Sequence, residues 1–236
     1  MPAARAGRPL DVLSRLAGRI LPRRCLACEE PGGSGLDLCP ACLEGLPVQR
    51  AACLRCAVPL ATAGTCGRCL QHPPPLAAAH AALLYAAPMD RLVPRFKFHR
   101  DLAAGRLLAQ LMAHAFAGCD RPQALVPVVL HQRRLRGRGY DQALELARPL
   151  AAILRLPLRT DLLRRVRDTP AQSQLDAAAR RRNLRGAFEV AGGDLPAHVA
   201  LVDDVMTTGA TLHAAAIALR RAGVARVDAW VCARVP

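Results

Sequence analysis

Two groups of residues in this chain have the types and spacing to do chemistry. The first is a block of eight cysteines: Cys25, Cys28, Cys39 and Cys42, then Cys53, Cys56, Cys66 and Cys69. In a C-x2-C turn both thiolates can reach one ion, and two such turns supply four tetrahedral sulfur ligands. Zinc suits that donor set. Four thiolates leave no coordination position open, so two structural ions are expected rather than a catalytic one. Sequential pairing, one ion per repeat, is the expectation, with crossed pairing of the four turns open. A disulfide framework or a redox pair is the alternative, but four copies of one spacing without a secretory segment favour metal. His72 follows the last of these turns and could replace a thiolate, although eight cysteines already suffice. Cys119 and Cys232 lie outside the block and read as small buried hydrophobes.

The second group is the string Leu201-Val202-Asp203-Asp204-Val205-Met206-Thr207-Thr208-Gly209-Ala210-Thr211. It falls where an apolar strand runs out and a helix begins, the place where open α/β sheets bind ligands. Gly209 and the threonines can present N–H groups and hydroxyls to a phosphate, helped by the positive end of the following helix. Asp203 and Asp204 would repel that phosphate, so they must face another part of the ligand. Vicinal hydroxyls suit them, which makes a ribose 5-phosphate the natural fit. No lysine follows a glycine-rich run, so this is not a Walker A loop; Gly137-Arg138-Gly139 lacks the third glycine of a dinucleotide fingerprint.

These groups need elements to hold them. After the proline linker Gln71-His72-Pro73-Pro74-Pro75, Ala81–Tyr85 reads as a strand, and Leu108, Leu111, Met112 and Ala115 mark a buried helical face. Leu125–Leu130 is a continuous apolar run of the kind covered on both faces. Leu144, Ala147, Leu150, Ala151 and Leu154 repeat at helical spacing, with Pro149 kinking or shortening that helix. Val199–Val202 is a further strand, Leu212–Ala222 a helix closed by Gly223, and Val227–Cys232 the last strand. Strands alternating with helices predict an α/β fold with a parallel, doubly wound sheet. The expected domains are an amphipathic helix over 1–24, the cysteine module over 25–72 and the α/β domain over 80–236.

The formal net charge is +15, and Lys97 is the only lysine among 33 basic residues. With eight thiolates on two zinc ions the charge would still be about +11. A basic surface draws polyanions, nucleic acid or a phosphorylated substrate; solvated arginine is the plainer account. Only 3% of residues are aromatic, few for stacking bases. No run approaches the roughly 20 apolar residues that span a bilayer, and Arg15 and Arg19 interrupt any signal-like segment. A cytoplasmic protein without membrane insertion is expected.

The Asp–Asp–x–x–Thr–Thr–Gly–x–Thr string resembles the phosphoribosyl-pyrophosphate (PRPP) motif of type I phosphoribosyltransferases. The segments Arg95-Phe96-Lys97-Phe98, Arg133 through Gln142, Thr169-Pro170-Ala171-Gln172 and Arg182 through Phe188 are similar to the ComF/GntX family within that superfamily. The cysteine module, like a double zinc ribbon, agrees with it. The resemblance runs from about Pro22 onward and implies a type I phosphoribosyltransferase fold, Rossmann-like, behind a small zinc-binding module. Asp203 and Asp204 would then hold the ribose of PRPP, and Thr207, Thr208, Gly209, Ala210 and Thr211 its 5-phosphate, with Mg²⁺ accompanying the ligand. The end of the Val126-Pro127-Val128 strand would approach the pyrophosphate. His131, Arg133, Arg134, Arg136 and Arg138 are anion candidates, and about Arg164–Arg185 would be a flap over the site. Tyr140-Asp141 departs from the Phe-Asn of many relatives. The resemblance implies a role in competence, DNA uptake or use of external DNA, with single-stranded DNA and uptake-machinery proteins as partners. A salvage phosphoribosyltransferase and a PRPP-sensing regulator are the alternatives. No catalytic residue and no acceptor base is assigned.

Overall fold

The structure is a computed structural model that describes residues 24–33, 35–167 and 186–236. The helix expected over 1–24, Arg24 aside, and most of the segment Arg164–Arg185 lie outside these residues. The chain divides into two compact units, one reaching Leu46 and the other running from Pro47 to Pro236.

In the smaller unit, Cys25 and Cys28 stand on a tight turn. The Cys25 N–H donates to Glu30 O at 2.8 Å and the Glu29 N–H to Cys25 O at 2.8 Å. Cys39 then caps the short helix α1 (Pro40–Glu44), which carries Cys42. The larger unit opens with the same design. Cys53 donates to Val58 O and accepts from the Ala57 N–H, each at 2.8 Å. Cys66 precedes the short helix α2 (Gly67–Gln71), which carries Cys69. Glu29 (φ 67°) and Ala57 (φ 53°), each four residues after its first cysteine, both take the left-handed conformation. The repeat read from the spacing is therefore a repeat of backbone geometry.

The rest of the larger unit is α/β. In chain order it contains β1 (Ala78–Leu84), α3 (Met89–His99), α4 (Leu102–Phe116), β2 (Ala124–Pro127), α5 (Gln132–Arg138) and α6 (Gln142–Leu154). There follow β3 (Leu163–Arg165), β4 (Phe188–Val190), β5 (His198–Met206), α7 (Ala210–Ala222) and β6 (Arg226–Arg234). β1, β6, β5 and β2 form one parallel sheet in that order, while β3 and β4 pair antiparallel. β5 and β6 are apolar almost throughout because both faces are covered. Val199 and Leu201 of β5 join the α7 side chains Leu212, Ala215 and Leu219 in one core. On the other face Trp230 stacks on Phe116 of α4 with centroids 5.0 Å apart. Burying a large apolar side chain in this way contributes about 1.5–3 kcal/mol.

Pro149 sits inside α6 without shortening it. The inward face of α4 is Leu107, Leu108, Met112 and Phe116, and Ala115 points to solvent rather than inward. α3 is an element the sequence reading lacked. Its buried residues Met89, Leu92, Val93 and Phe96 recur at helical spacing, but Pro88 at its cap and Pro94 within it obscure the pattern. Gly105 lets α3 and α4 meet, because a Cβ there would lie 2.5 Å from the Phe96 ring.

Candidate functional site

The carboxyl ends of the parallel strands surround a cavity of about 470 Å³. β5 runs on past the apolar stretch to deliver Asp203 and Asp204 there, and the chain turns through Thr207–Gly209 into α7. Gly209, at φ 75°, makes the turn; a Cβ would stand 2.5 Å from Met206 Cε and 3.0 Å from His213 Nε2. The conformation and the crowding both call for glycine. Thr207 and Thr211 line the cavity, while the Thr208 hydroxyl accepts from the Ala210 N–H at 3.4 Å. The N-terminus of a 13-residue helix therefore opens beside two carboxylates, a surface able to hold an anion and hydroxyls together.

Alternation along β5 sends the two acids to different surroundings. Asp204 is 4% exposed and pairs with Lys97, whose Nζ lies 3.0 and 2.9 Å from its two oxygens. The only lysine of the chain is thus committed to this carboxylate. Asp203 is half-buried, and its carboxyl is pushed up to about 7 by burial and by the adjacent Asp204 charge, with Lys97 opposing. Of the anion candidates, Arg134 lines the cavity; Arg133 and Arg136 lie exposed on α5, and Arg138 is its last residue. His131 caps α5, its Nδ1 accepting from the Arg133 N–H at 3.3 Å. Arg165, which the sequence reading did not single out, reaches the cavity from β3 and lies 5.5 Å from the Phe188 ring centroid. Lys97 reaches the cavity from α3 and Arg165 from β3, and only the fold brings them to the end of β5. Tyr85, Val93, Pro94 and the 63% exposed Phe98 give the cavity an apolar side.

The Tyr140-Asp141 departure has a structural use. Asp141 Oδ2 accepts from the Leu130 N–H at 2.7 Å and Oδ1 from the Leu144 N–H at 3.1 Å, tying the loop after β2 to the first turn of α6. Tyr140 packs edge-on against Phe96 at 5.9 Å.

The cysteines assemble in sequence as two tetrads, Cys25–Cys28–Cys39–Cys42 and Cys53–Cys56–Cys66–Cys69, each with its sulfurs within 4.8 Å of one another. Burial would raise the Cys25 thiol, but N–H donors at Cys39, Cys28 and Ala27 outweigh it and bring it to about 6. The same contest sets Cys53 at about 6. Cys42 goes the other way, pushed up to about 12 by the sulfurs of Cys28, Cys39 and Cys25. Four thiolates at this separation repel one another unless a divalent cation lies among them, so the donor sets fit two structural zinc ions. Cys232 is buried; Cys119 is half-buried, with its sulfur 3.6 Å from His80 Nδ1.

The second tetrad is tied to the strand end that leads into the Thr207–Gly209 turn. Arg234, 8% exposed at the end of β6, donates through Nε to Cys56 O at 2.9 Å and through a terminal nitrogen to Met206 O at 3.1 Å. One guanidinium thus joins a cysteine turn to the residue that enters the Thr207–Gly209 turn.

Fold and site together define a phosphoribosyltransferase-like protein with cysteine tetrads ahead of its parallel sheet. Residues 16–70 match the double zinc ribbon domain family and residues 141–236 the phosphoribosyl transferase domain family. The chain is 37% identical over 225 residues to DNA utilization protein YhgH of Salmonella typhimurium, covering 91% of this chain and 98% of that one. The same coverage holds at 35% identity for DNA utilization protein YhgH of Escherichia coli K12. Competence protein F of Haemophilus influenzae is 37% identical over 178 residues, 72% of this chain and 78% of its own. The chain belongs to the ComF family. Among the described residues no helix is long and apolar enough to cross a membrane.

Proposed function

We propose that this chain binds PRPP with Mg²⁺ in the cavity and acts in the cytoplasm in the uptake or use of external DNA. Single-stranded DNA is its polymeric ligand, and proteins of the uptake machinery are its partners. The observation that carries the reading is the pairing of Asp203 and Asp204 with the Thr207–Thr211 turn at the amino end of α7. In it the acids receive the ribose hydroxyls and the turn receives the 5-phosphate. Arg134 and Arg165 supply positive charge on the cavity wall, where pyrophosphate with its Mg²⁺ needs partners. The +15 charge and the names of the relatives support the nucleic-acid role.

The test is isothermal titration of PRPP and Mg²⁺ into the zinc-loaded protein and its Thr211→Ala and Asp204→Asn variants. We expect saturable binding by the parent and at least a tenfold loss in each variant. No binding by the parent removes the reading. Anisotropy of a labelled oligothymidylate, with and without PRPP, then reports whether the two ligands are coupled.

The apolar side of the cavity supports a second reading. Tyr85, Val93, Pro94 and Phe98 suit a planar nitrogen base, the acceptor that salvage transfer requires. A screen of bases for pyrophosphate release tests it, and an empty screen counts against it.

A further inference from the structure

The larger unit has a second cavity, also about 470 Å³, whose walls differ in kind from those of the first. It is lined by Arg55 from the second cysteine turn, by Pro74–Ala77, by Ile217, Arg220 and Arg221 of α7, and by Val227. Among the described residues three arginines line it and no acid does, whereas the first cavity sets two carboxylates against its cations. Arg220 and Arg221 end α7, where positive charge favours the helix dipole. That accounts for two of the three. Arg55 comes from a separate element: one terminal nitrogen donates to Pro74 O at 3.1 Å, and among the described residues its buried Nε has no acceptor.

We propose that this groove seats the phosphodiester backbone of single-stranded nucleic acid, an inference that rests on the single-strand reading above and names its site. Guanidinium forks match phosphate oxygens in pairs, and three of them around an open groove suit successive phosphates. Pro74, Pro75 and Ile217 add an apolar wall against which sugars or bases can lie. The groove also stands clear of the ribose site. Ala77 and Val227 flank the amino ends of β1 and β6, whereas Asp203 lies toward the carboxyl end of β5. Asp203 is level with Val231, four residues on from Val227, so at about 3.3 Å per residue the two stand roughly 13 Å apart along the sheet, and the two cavities share no lining residue. Both ligands therefore bind at once.

The experiment is anisotropy of a labelled oligothymidylate against the full zinc-loaded chain over a salt series. It compares the parent with Arg221→Gln, Arg55→Gln/Arg221→Gln and, as a control, Arg148→Gln on exposed α6 surface. Each lost phosphate contact flattens the log–log salt slope by about 0.7. We expect that decrease for Arg221→Gln, twice that and roughly tenfold weaker binding for the double variant, and parent behaviour for Arg148→Gln. Arg221 is exposed, so its variant carries the test even if Arg55→Gln disturbs the Pro74 turn. Parent-like slopes in both groove variants, or an equal loss in Arg148→Gln, overturn the groove while leaving single-strand binding intact. No binding by the parent at low salt overturns that reading and the groove with it.

Discussion

The two cysteine tetrads share a spacing, a turn geometry and a short helix, yet they sit in different structural contexts. The first stands in the small unit that ends at Leu46. The second is part of the larger unit's frame. Leu54 O accepts from the Ala79 N–H of β1 at 3.0 Å, Pro47 O accepts from the Leu84 N–H at 2.8 Å, and Cys56 O receives Arg234. Ala57, beside Cys56, is wholly buried in the core with Leu76 and Val231. A duplicated motif thus has two settings, a metal turn within the small unit and part of the frame of the α/β domain. Sequence spacing identifies the motif; only packing distinguishes the settings.

The largest expected effect separates them directly. Cys53→Ser and Cys25→Ser should each lower zinc content by one ion per chain, read by metal analysis. Structural zinc contributes about 10–16 kcal/mol to small sites, comparable to or greater than the 5–15 kcal/mol stability of a whole domain. Cys53→Ser should therefore abolish the cooperative thermal transition of the larger unit, and Cys25→Ser should leave that transition within a degree or two. Equal collapse in both variants would break the comparison.

Arg234→Gln gives the next effect. It keeps both tetrads but removes the charged donors to Cys56 O and Met206 O. Loss of buried charge-assisted bonds of this kind costs about 2–4 kcal/mol. Zinc content should stay at two, the midpoint should fall by several degrees, and PRPP binding should weaken because the turn after Met206 is no longer held. Unchanged binding in a folded Arg234→Gln protein would show that the second tetrad supports the fold without reaching the site.

Much of this was legible in the residues. The tetrads, the parallel sheet and the Asp203–Thr211 turn follow from local spacing and from apolar runs. α3 is hidden in the sequence, although Met89, Leu92, Val93 and Phe96 carry its period, because two prolines and a start without a side-chain cap mask it. Lys97, Arg165 and Arg234 were out of reach for a different reason. Each gains its role from a partner far along the chain, such as Asp204 for Lys97, and no local pattern encodes such a pairing. The arginine run from Arg133 to Arg138 shows the converse: one dense local signal, of which Arg134 alone among the described side chains lines the cavity.

Gly209→Ala probes the turn itself. It forces an L side chain into φ 75° and into Met206, at about 1–3 kcal/mol. The larger unit's midpoint should drop by several degrees with both zinc ions retained. Zinc loss on this substitution would mean that strain travels from the turn back through Arg234 to the second tetrad.

The smallest effect has the opposite sign and confines the comparison to the site. Asp203 titrates near 7 in the folded protein and near 3.8 in its unperturbed form, so the folded state holds its proton more tightly. Folding is then penalised above pH 7, where the half-buried carboxylate is ionised, and the penalty fades as pH falls from 7 toward 3.8. Asp203→Asn removes the ionisable group. Asp203 lines a cavity that water enters, so solvent screens most of that penalty, and the variant's thermal midpoint should exceed the parent's at pH 8.5 by about 2–4 °C, as expected for a gain on the order of 1 kcal/mol in a domain of this size. The advantage should fall to about half by pH 5.5 and vanish only as pH approaches 3.8, while at pH 8.5 zinc content stays at two and PRPP affinity falls. A pH-independent difference would mean that packing, rather than charge, sets the penalty at Asp203. A change in zinc content would mean that the second tetrad responds to the site as well as supporting it.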